Sequence, residues 1–484
     1  MREIPKQAAK AADNLDNDAV HDLRVALRRC RSMAAGFRAI DPDKNWKKMR
    51  RQATDLFDSL GDLRDSHVMT EWLEQLAPAG DPTSHAVVAY LREQESGLET
   101  QARTAIKSFD VPQWHGWVRI LPERASHLPV GSEAFQALAL EQLNTARRMQ
   151  SPALRKRGGA EFHRLRIEVK KFRYIVENFL PEQHEQWKDG LKLVQDLLGE
   201  IHDLDVLRET ILRVTGDSGS TTSSGSPAPS PGPLLEIIAR ERDARIERYR
   251  QLMSGEKSLW RQWRSGLPRG LAARHASMHR LQAWSSYLDS DLRHSRRVAR
   301  FSVQIYDGLA RHKILQGNSG GDRELLRAAS IVHEVGRAEG SKNHHKTTEK
   351  MVSGLNRLAG WKRQEVNLMA RIARYHRGAL PRPGRLSDLP PAEWQRIRLL
   401  AGILRLANAL DGDHSGSIRS ISVRNQQAFV TISASGLDTD SDNAERIAAA
   451  RYLLETACGV PVMVQPGVRA RMKARSRTAA KRVS

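Results

Sequence analysis

The 484-residue chain has few cysteines, few aromatic residues and no long apolar run, and each scarcity excludes a class of protein. Its two cysteines, Cys30 and Cys458, are too few for a disulfide framework or a thiolate zinc cluster. Aromatic residues make up 5% of the chain, few for a protein that stacks single-stranded bases. No uncharged apolar run reaches about 18 residues, so membrane insertion is not expected. The opening residues, MREIPKQAAKAADN, lack the apolar core of a secretory signal, which predicts a cytoplasmic protein.

Acidic residues are outnumbered by basic ones, and the imbalance lies in the second half of the chain. There are 78 Lys and Arg residues against 56 Asp and Glu, which gives a net charge of +22. Residues 269–484 hold 37 of the basic residues but only 18 of the acidic ones, whereas residues 1–268 are nearly neutral. A chain this basic attracts polyanions. Residues 466–484 contain no acid and predict a disordered basic tail.

An internal repeat runs through residues 1–268, where apolar residues recur at helical spacing. The segment HDLRVALRRCR, which begins at His21, matches HRLRIEVKKFR, which begins at His163. Further along, LGDLRD from Leu60 matches LGEIHD from Leu198. These matches predict two copies of one helical unit. The Gly-, Ser- and Pro-rich stretch 215–233 then becomes a flexible insertion between the third and fourth helices of the second copy.

Each copy places a histidine and three basic residues at the same four offsets, 0, 3, 7 and 10. On an α-helix these offsets span about 80° of arc, so each helix presents one cationic stripe. A solvated helix face is the alternative interpretation, but solvation does not require a shared register. A linear polyanion does, because arginine forks and lysine charges match a row of phosphates. With the matching positions of the second element, the candidate binding residues are His21, Arg24, Arg28, Arg31, Arg64, His163, Arg166, Lys170, Arg173 and His202.

At these residues the chain resembles the CHAD domain (conserved histidine α-helical domain), over roughly residues 10–268. The resemblance implies two four-helix bundles related by a pseudo-twofold axis. It also implies that basic residues line a central channel and bind inorganic polyphosphate, and that the protein associates with polyphosphate granules. We therefore expect residues 1–268 to form a polyphosphate-binding domain.

The second half, residues 270–465, predicts a helical domain that ends in a small β-β-α-β unit. Residues 418–423 and 428–433 alternate like two strands, residues 443–458 have the pattern of a helix, and residues 460–464 form a short strand. The helical part is rich in histidine, and imidazoles with nearby carboxylates bind divalent metals.

The segments LLRAASIVHEVGR, RYHRGALP and LLAGILRLANALDGD resemble the HD-type helical domain over about residues 275–465. They are most similar to the C-terminal domain of exopolyphosphatases and guanosine pentaphosphate phosphohydrolases. HD phosphohydrolases hold a metal on a His, a His-Asp doublet and a later Asp, which implies His294, His333, Glu334 and Asp411 as ligands of Mn, Mg or Zn. Glu334 replaces the Asp of the doublet, and its carboxylate reaches about 1.5 Å further. The resemblance also implies a non-catalytic domain, since the actin-like phosphatase domains have no counterpart here.

The sequence therefore predicts a mainly α protein that binds inorganic polyphosphate and has no assigned catalytic residue. The alternative function is a metal-dependent HD-type phosphohydrolase that acts on polyphosphate or on a phosphorylated nucleotide. A third class, nucleic-acid binding through the basic tail, is least favoured because aromatic residues are few and no base-reading motif is present.

Overall fold

The computed structural model describes most of the chain, in seven stretches. They are residues 1–13, 17–217, 232–315, 320–355, 358–379, 389–438 and 443–467. Most of the expected insertion, and all but two residues of the expected tail, lie outside these stretches.

The chain divides into two compact units. The first unit comprises Met1–Trp284 with Leu358–Gly360, and the second comprises Ser285–Arg357 with Trp361–Ser484. The protein is mainly α-helical, as the sequence predicts. The domain boundaries drawn from the sequence, near residues 268 and 465, stay predictions.

Two successive sets of helices make up the first unit. The first set is α1 (Glu3–Asp13), α2 (Asn17–Arg38), α3 (Lys44–Ser59), α4 (Gly61–Leu76), α5 (Pro82–Lys107) and α6 (Val111–Ser126). The second set is α7 (Glu133–Lys156), α8 (Gly159–Phe179), α9 (Pro181–Asp217), α10 (Gly232–Met253) and α11 (Leu259–Ser265). Helix α12 (Gly270–Ser286) follows. The repeated His-rich segments thus become α2 and α8, each the second helix of its set.

The two copies differ in their third element. In the first copy this element breaks at Leu60 into α3 and α4, whereas in the second copy α9 continues through Gly199 without a break. The connection from α2 to α3 is also longer than the one from α8 to α9, which consists of Leu180 alone. In the first copy, Asp43 caps α3 by accepting a 2.7 Å hydrogen bond from the backbone N–H of Asn45. This longer connection accounts for the wider spacing of the repeat motifs in the first copy.

The copies pack against each other through α2 and α8. Gly36 of α2 permits this contact, since a Cβ atom there would lie 2.1 Å from the ring of Phe179. Phe37, the repeat equivalent of Phe179, meets it edge-on with ring centroids 5.1 Å apart. Phe135 stacks on Phe179, with ring centroids 4.1 Å apart. The ends of the two stripe-bearing helices are therefore held together by a tightly packed aromatic group.

A second contact between the copies is an apolar core. Leu73 of α4 and Val87 of α5 pack with Leu204, Leu207 and Ile211 of α9, and all five are almost fully buried. Burial of this apolar surface stabilises the pairing of the two copies. Since α2–α8 and α4–α9 join equivalent elements, the arrangement agrees with the expected pseudo-twofold relation.

The second unit is helical up to residue 411 and then forms a small sheet. Its helices are α13 (Leu292–Arg311), α14 (Asp322–Val332), α15 (His344–Ser353), α16 (Arg363–Arg374) and α17 (Pro391–Leu410), with a 3-10 turn at Val335–Glu339. The sheet elements are β1 (Ser420–Asn425), β2 (Val430–Ser435), α18 (Asn443–Cys458) and β3 (Val462–Pro466). The β-β-α-β order agrees with the prediction, and the helix has the predicted bounds.

Each strand begins two residues later than its sequence pattern indicates. The first hydrogen-bonded pair of the hairpin joins Ser420 to Ser435, and the antiparallel ladder ends at Asn425 and Val430. The turn between them occupies four residues and places Gln427 at a φ of 59°. Strand β3 then pairs with β2 in parallel, so the order is β1-β2-β3.

No helix in the described stretches is long and apolar enough to cross a membrane.

Candidate functional site

In the first copy, the arginines of the stripe are held on the ring of Phe57. The guanidinium carbons of Arg24 and Arg31 each lie 4.4 Å from the ring centroid. Arg24 Nη1 also donates a 3.2 Å hydrogen bond to the backbone carbonyl of Phe57, and Arg31 pairs with Asp58 at 3.5 Å. These contacts fix the position of both cations, since a guanidinium on an aromatic face gains cation–π attraction.

The stripes of α2 and α8 meet at Lys170. The pKa of Lys170 is lowered to about 8, first by burial and then by the charges of Arg166, Arg28 and Arg31. Arg166 and Lys170 belong to α8, whereas Arg28 and Arg31 belong to α2. The two stripes therefore form one group of positive charges, hereafter the cationic cluster, defined as Arg24, Arg28, Arg31, Arg166 and Lys170.

Two aspartates face the cationic cluster from the second repeat motif of each copy. Burial lowers the pKa of Arg24 and of Arg166; the charge of Asp65 opposes this at both arginines, and Asp203 opposes it at Arg166. Burial raises the pKa of Asp203 to about 6, and the nearby Asp65 adds to the rise. Sequence reasoning missed these two residues, although they end the matching segments LGDLRD and LGEIHD.

Arg166 is the most enclosed arginine of the cluster. Its Nε atom is buried and makes no hydrogen bond to any residue that the structure describes. Burial lowers its pKa, which shows that the surroundings disfavour its charge. An arginine held in this way is ready to donate to an incoming anion.

The remaining predicted residues lie around the cluster with local partners. His163 and His202 stack with ring centroids 5.0 Å apart, and burial next to Arg166 lowers the pKa of His202 to about 4. Arg64 and Arg173 form ion pairs of 3.5 Å within their own copies. His21 is exposed. The structure thus brings five of the ten predicted residues into the cluster, and the other five lie outside it as we define it.

In the second unit, His294, His333 and Glu334 form one group whose ligand atoms lie within 4.8 Å of one another. His294 comes from α13, and the other two follow α14. The side-chain amide oxygen of Asn408 on α17 lies 2.9 Å from His294 Nε2 and 3.2 Å from His333 Nε2. Three of the four predicted metal ligands therefore converge, and Asn408, which the sequence did not single out, lies between the two histidines.

The fourth predicted ligand, Asp411, contacts the other ring nitrogen of His294. Asp411 Oδ2 lies 2.7 Å from His294 Nδ1, and Asp411 Oδ1 accepts a 2.7 Å hydrogen bond from Arg297 Nε. Burial by itself would raise the pKa of Asp411, but these two hydrogen bonds outweigh it and lower the pKa. Asp411 therefore orients the His294 ring from behind, as carboxylates do for metal-binding histidines.

A second group places His344 and His376 around the same carboxylate. His344 Nε2 lies 3.4 Å from Glu334 Oε2, and His376 Nε2 lies 3.3 Å from Glu334 Oε1. Gly336 makes this approach possible, because a Cβ atom there would lie 2.2 Å from the backbone oxygen of His344. The extra methylene of Glu334 thus reaches both histidines. We call His294, His333, Glu334, His344 and His376 the His/Glu cluster.

The backbone determines which ring nitrogen of these histidines carries the proton. The Nδ1 atoms of His333, His344 and His376 lie 2.7, 3.1 and 2.7 Å from the carbonyl oxygens of Ser330, Ser341 and Ala373. A carbonyl oxygen only accepts, so each Nδ1–H donates. Burial lowers the pKa of all three, that of His376 to about 3, so the rings are neutral and each Nε2 carries a lone pair.

These lone pairs fit a divalent cation. His344 Nε2 and His376 Nε2 lie 3.3 Å apart beside a carboxylate, with no proton left to share between the two nitrogens. Electron-pair donors gathered in this way need an electrophile, and imidazole nitrogens with one carboxylate suit Zn or Mn better than Mg. Arg337 pairs with Glu334 and neutralises part of its charge.

Comparison with protein families agrees with this geometry. Residues 2–212 match the family model of the CHAD domain, and residues 273–442 match that of the Ppx/GppA phosphatase, domain III. Both resemblances are confirmed. The cationic cluster lies within the CHAD match, and the His/Glu cluster lies within the Ppx/GppA match. A search of curated proteins finds no match to this chain. The CHAD domain is associated with polyphosphate binding and the Ppx/GppA domain with phosphohydrolase activity.

Proposed function

We propose that this protein binds inorganic polyphosphate through the cationic cluster of its CHAD region. The observation that carries the proposal is the meeting of both repeat stripes at Lys170, where burial and three neighbouring cations disfavour the lysine charge. A polyanion placed across the cluster would reverse that effect, because opposite charges favour the protonated form. Four arginines and one lysine on two helices suit a chain of evenly spaced phosphates.

Partly buried cations also favour a flexible inorganic polymer over a nucleic acid. Arg166 and Lys170 are only half exposed, so a ligand must approach them closely. A polyphosphate chain carries its charges without bulky sugars and bases, and no group of exposed aromatic residues lies beside the cluster in the described stretches. Association with granules remains a prediction of the resemblance.

The test is the affinity of the full chain for long-chain polyphosphate. Replacing Arg24, Arg28, Arg166 and Lys170 by Ala removes four charge-assisted contacts and is expected to weaken binding by about a hundredfold or more. The matched control replaces Arg29, Arg38, Arg164 and Lys171, which lie on the same two helices but are exposed outside the cluster. Isothermal titration with each variant, with circular dichroism as the folding check, compares the same change in net charge at two places.

Equal affinities for the two quadruple variants would contradict the proposal, since binding would then depend on net charge alone. Single-stranded RNA at equal phosphate concentration serves as competitor. If it displaced polyphosphate completely, the site would be a general polyanion surface.

The His/Glu cluster favours a second candidate function, a metal-dependent phosphohydrolase. Its histidines are oriented by backbone carbonyls and by Asp411, and a bound divalent ion would supply Lewis-acid activation of a phosphoryl group or of water. The replacement of the doublet Asp by Glu334 argues for little or no turnover, because Glu334 reaches across to His344 and His376.

Phosphate release separates the two functions. The purified protein is incubated with polyphosphate, guanosine pentaphosphate or nucleotides, in the presence of Mn, Mg or Zn. Turnover that is lost in His333→Ala would establish the hydrolase. Turnover that is unchanged in His333→Ala would identify a contaminant.

A further inference from the structure

Arg405 of α17 is a partly buried cation without a carboxylate partner among the described residues. Its Nη2 atom donates a 2.9 Å hydrogen bond to the backbone carbonyl of Gly378. Its Nη1 atom is buried and makes no hydrogen bond with the described part of the chain. Burial lowers its pKa, and among the described residues the charge that lowers it further is that of another cation, Arg377.

Gly378 connects Arg405 to the histidines. It adopts a φ of 79°, and a Cβ atom there would lie 2.9 Å from His345 Nε2. Only glycine satisfies both requirements, since other residues disfavour this backbone conformation and need the space that the His345 ring occupies. The loop after His376 therefore passes between the Arg405 guanidinium and the His345 imidazole.

These groups form a positively charged edge of the His/Glu cluster. Arg377 is exposed, and its charge lowers the pKa of His344, His345 and His376. His345 has a pKa of about 4, mainly because of burial, and so contributes hydrogen-bonding capacity rather than charge near neutral pH. Two carboxylates of this unit are engaged with other arginines, because Glu334 pairs with Arg337 and Glu349 pairs with Arg374.

A buried guanidinium nitrogen without an acceptor is unfavourable. Removing a cation from water is costly unless an anion or a full set of hydrogen bonds compensates. Arg405 has one carbonyl and a like-charged neighbour, which do not compensate. An acceptor-rich anion that enters from solvent beside Arg377 would supply the missing partner.

We propose that Arg405 and Arg377 form a binding subsite for a phosphate group at the edge of the His/Glu cluster. A guanidinium matches two oxygens of a tetrahedral oxyanion, and the second arginine supplies the remaining charge. The phosphate belongs either to the end of a polyphosphate chain or to a phosphate monoester. The subsite is separate from the cationic cluster, and it holds a phosphate whether or not the His/Glu cluster hydrolyses it.

The test measures phosphate binding in the full chain whose cationic cluster carries the four alanine substitutions. In this background, isothermal titration with orthophosphate, pyrophosphate and phosphoserine reports on the second unit. Arg405→Gln is expected to weaken binding of the preferred probe by at least about tenfold, because one pair of charge-assisted hydrogen bonds is lost. Arg398→Ala is the control, because Arg398 lies on the same helix but is exposed and packs over Trp394 at 4.6 Å.

Thermal unfolding supplies a second measurement. The protein with Arg405 is expected to gain melting temperature when the preferred probe is added, whereas Arg405→Gln gains none. If Arg405→Gln fails to fold, Arg405→Lys keeps the charge but cannot reach both Gly378 and the anion, so it also weakens binding. Equal binding by the Arg405 and Arg398 variants, or no phosphate binding by the parent protein, would overturn the proposal.

The choice of probe identifies the source of the phosphate. Tighter binding of pyrophosphate than of phosphoserine indicates a polyphosphate end, and the reverse order indicates a monoester. A failure of this subsite leaves polyphosphate binding by the cationic cluster untouched, because that cluster is tested with the long polymer and with separate variants.

Discussion

The cationic cluster and the His/Glu cluster collect polar side chains by opposite means. In the cationic cluster, long side chains reach inward from α2 and α8 and lie on Phe57 or beside one another. In the His/Glu cluster, the side chains are almost fully buried, backbone carbonyls hold the rings of His333, His344 and His376, and Asp411 holds that of His294. The first arrangement concentrates charge and tolerates movement of its ligand. The second defines positions of individual atoms.

This difference shows what each region can recognise. A cluster of flexible cations binds by charge density, so it suits a polymer of variable length and register. A cluster of oriented lone pairs binds by geometry, so it suits one ion of suitable size and ligand preference. Substitutions of single residues should therefore have unequal effects on ligand binding in the two regions.

The largest effect is expected at Glu334, because its carboxylate lies close to the Nε2 atoms of His333, His344 and His376. Glu334→Ala removes the only oxygen ligand of the His/Glu cluster. We expect the affinity for Zn or Mn to fall by about a hundredfold or more, since even outer partners of metal ligands contribute ten- to a hundredfold. Metal titration by calorimetry measures it.

The control for Glu334 is Glu339→Ala, since Glu339 is exposed at the end of the same 3-10 turn. It should leave metal affinity unchanged, and neither variant should alter binding of long polyphosphate. Equal metal affinity for Glu334→Ala and the parent protein would show that the two histidine groups do not bind an ion together.

The next effect concerns the packing that brings the two stripes together. Gly36→Ala places a methyl group 2.1 Å from a Phe179 ring that Phe37 and Phe135 prevent from moving. We expect a loss of about 1–3 kcal/mol in the free energy of unfolding, typical of overpacking, together with weaker polyphosphate binding. Urea denaturation measures the stability.

Gly199→Ala is the matched control, because Gly199 lies within α9 with no atom near its missing Cβ. It should raise stability by up to about 1 kcal/mol, as glycine disfavours helices. A Gly36 variant as stable as that control would mean that the close contact between α2 and α8 is not required.

The smallest effect is the pH dependence of polyphosphate binding. The free protein holds the pKa of Lys170 near 8, and a bound polyanion favours the protonated lysine, so binding takes up a proton above that pH. Affinity is therefore unaffected by Lys170 below about pH 8 and falls by up to about tenfold per pH unit above it. Lys170→Arg should flatten this part of the profile.

Lys171→Arg is the control for this profile, since Lys171 is exposed and pairs with Glu168 at 2.6 Å. It should keep the fall above pH 8. A profile that Lys170→Arg leaves unchanged would place the responsible group elsewhere.

Prediction from sequence succeeded where the information is local to one helix or one motif. The offsets from His21 and His163 predict two stripes, and the alternation of residues 418–433 predicts a hairpin. The turn has the predicted four residues, but both hairpin strands begin two residues later than the alternation indicates. The resemblance of the His333-Glu334 doublet to a metal motif led to three side chains that converge.

Prediction was incomplete where contacts join distant segments. Asp65 and Asp203 face arginines across the repeat, and His376 meets Glu334 from a loop after α16. Asp411 was assigned as a metal ligand, but the structure places it behind His294, and that assignment stays a prediction. Arg405 belongs to no motif. Only the tertiary structure shows that its Nη2 bonds the Gly378 carbonyl while its Nη1 has no partner among the described residues.

The sequence by itself determined the helical character, the repeat, the register of the stripes and the β-β-α-β order, because helical and strand periodicities arise from backbone geometry. Only the tertiary structure decided that the stripes meet at Lys170 and that Glu334 joins two groups of histidines. These meetings depend on how closely helices approach, as Gly36 and Gly336 show. Such distances follow from packing between segments far apart in the chain, which no local pattern encodes.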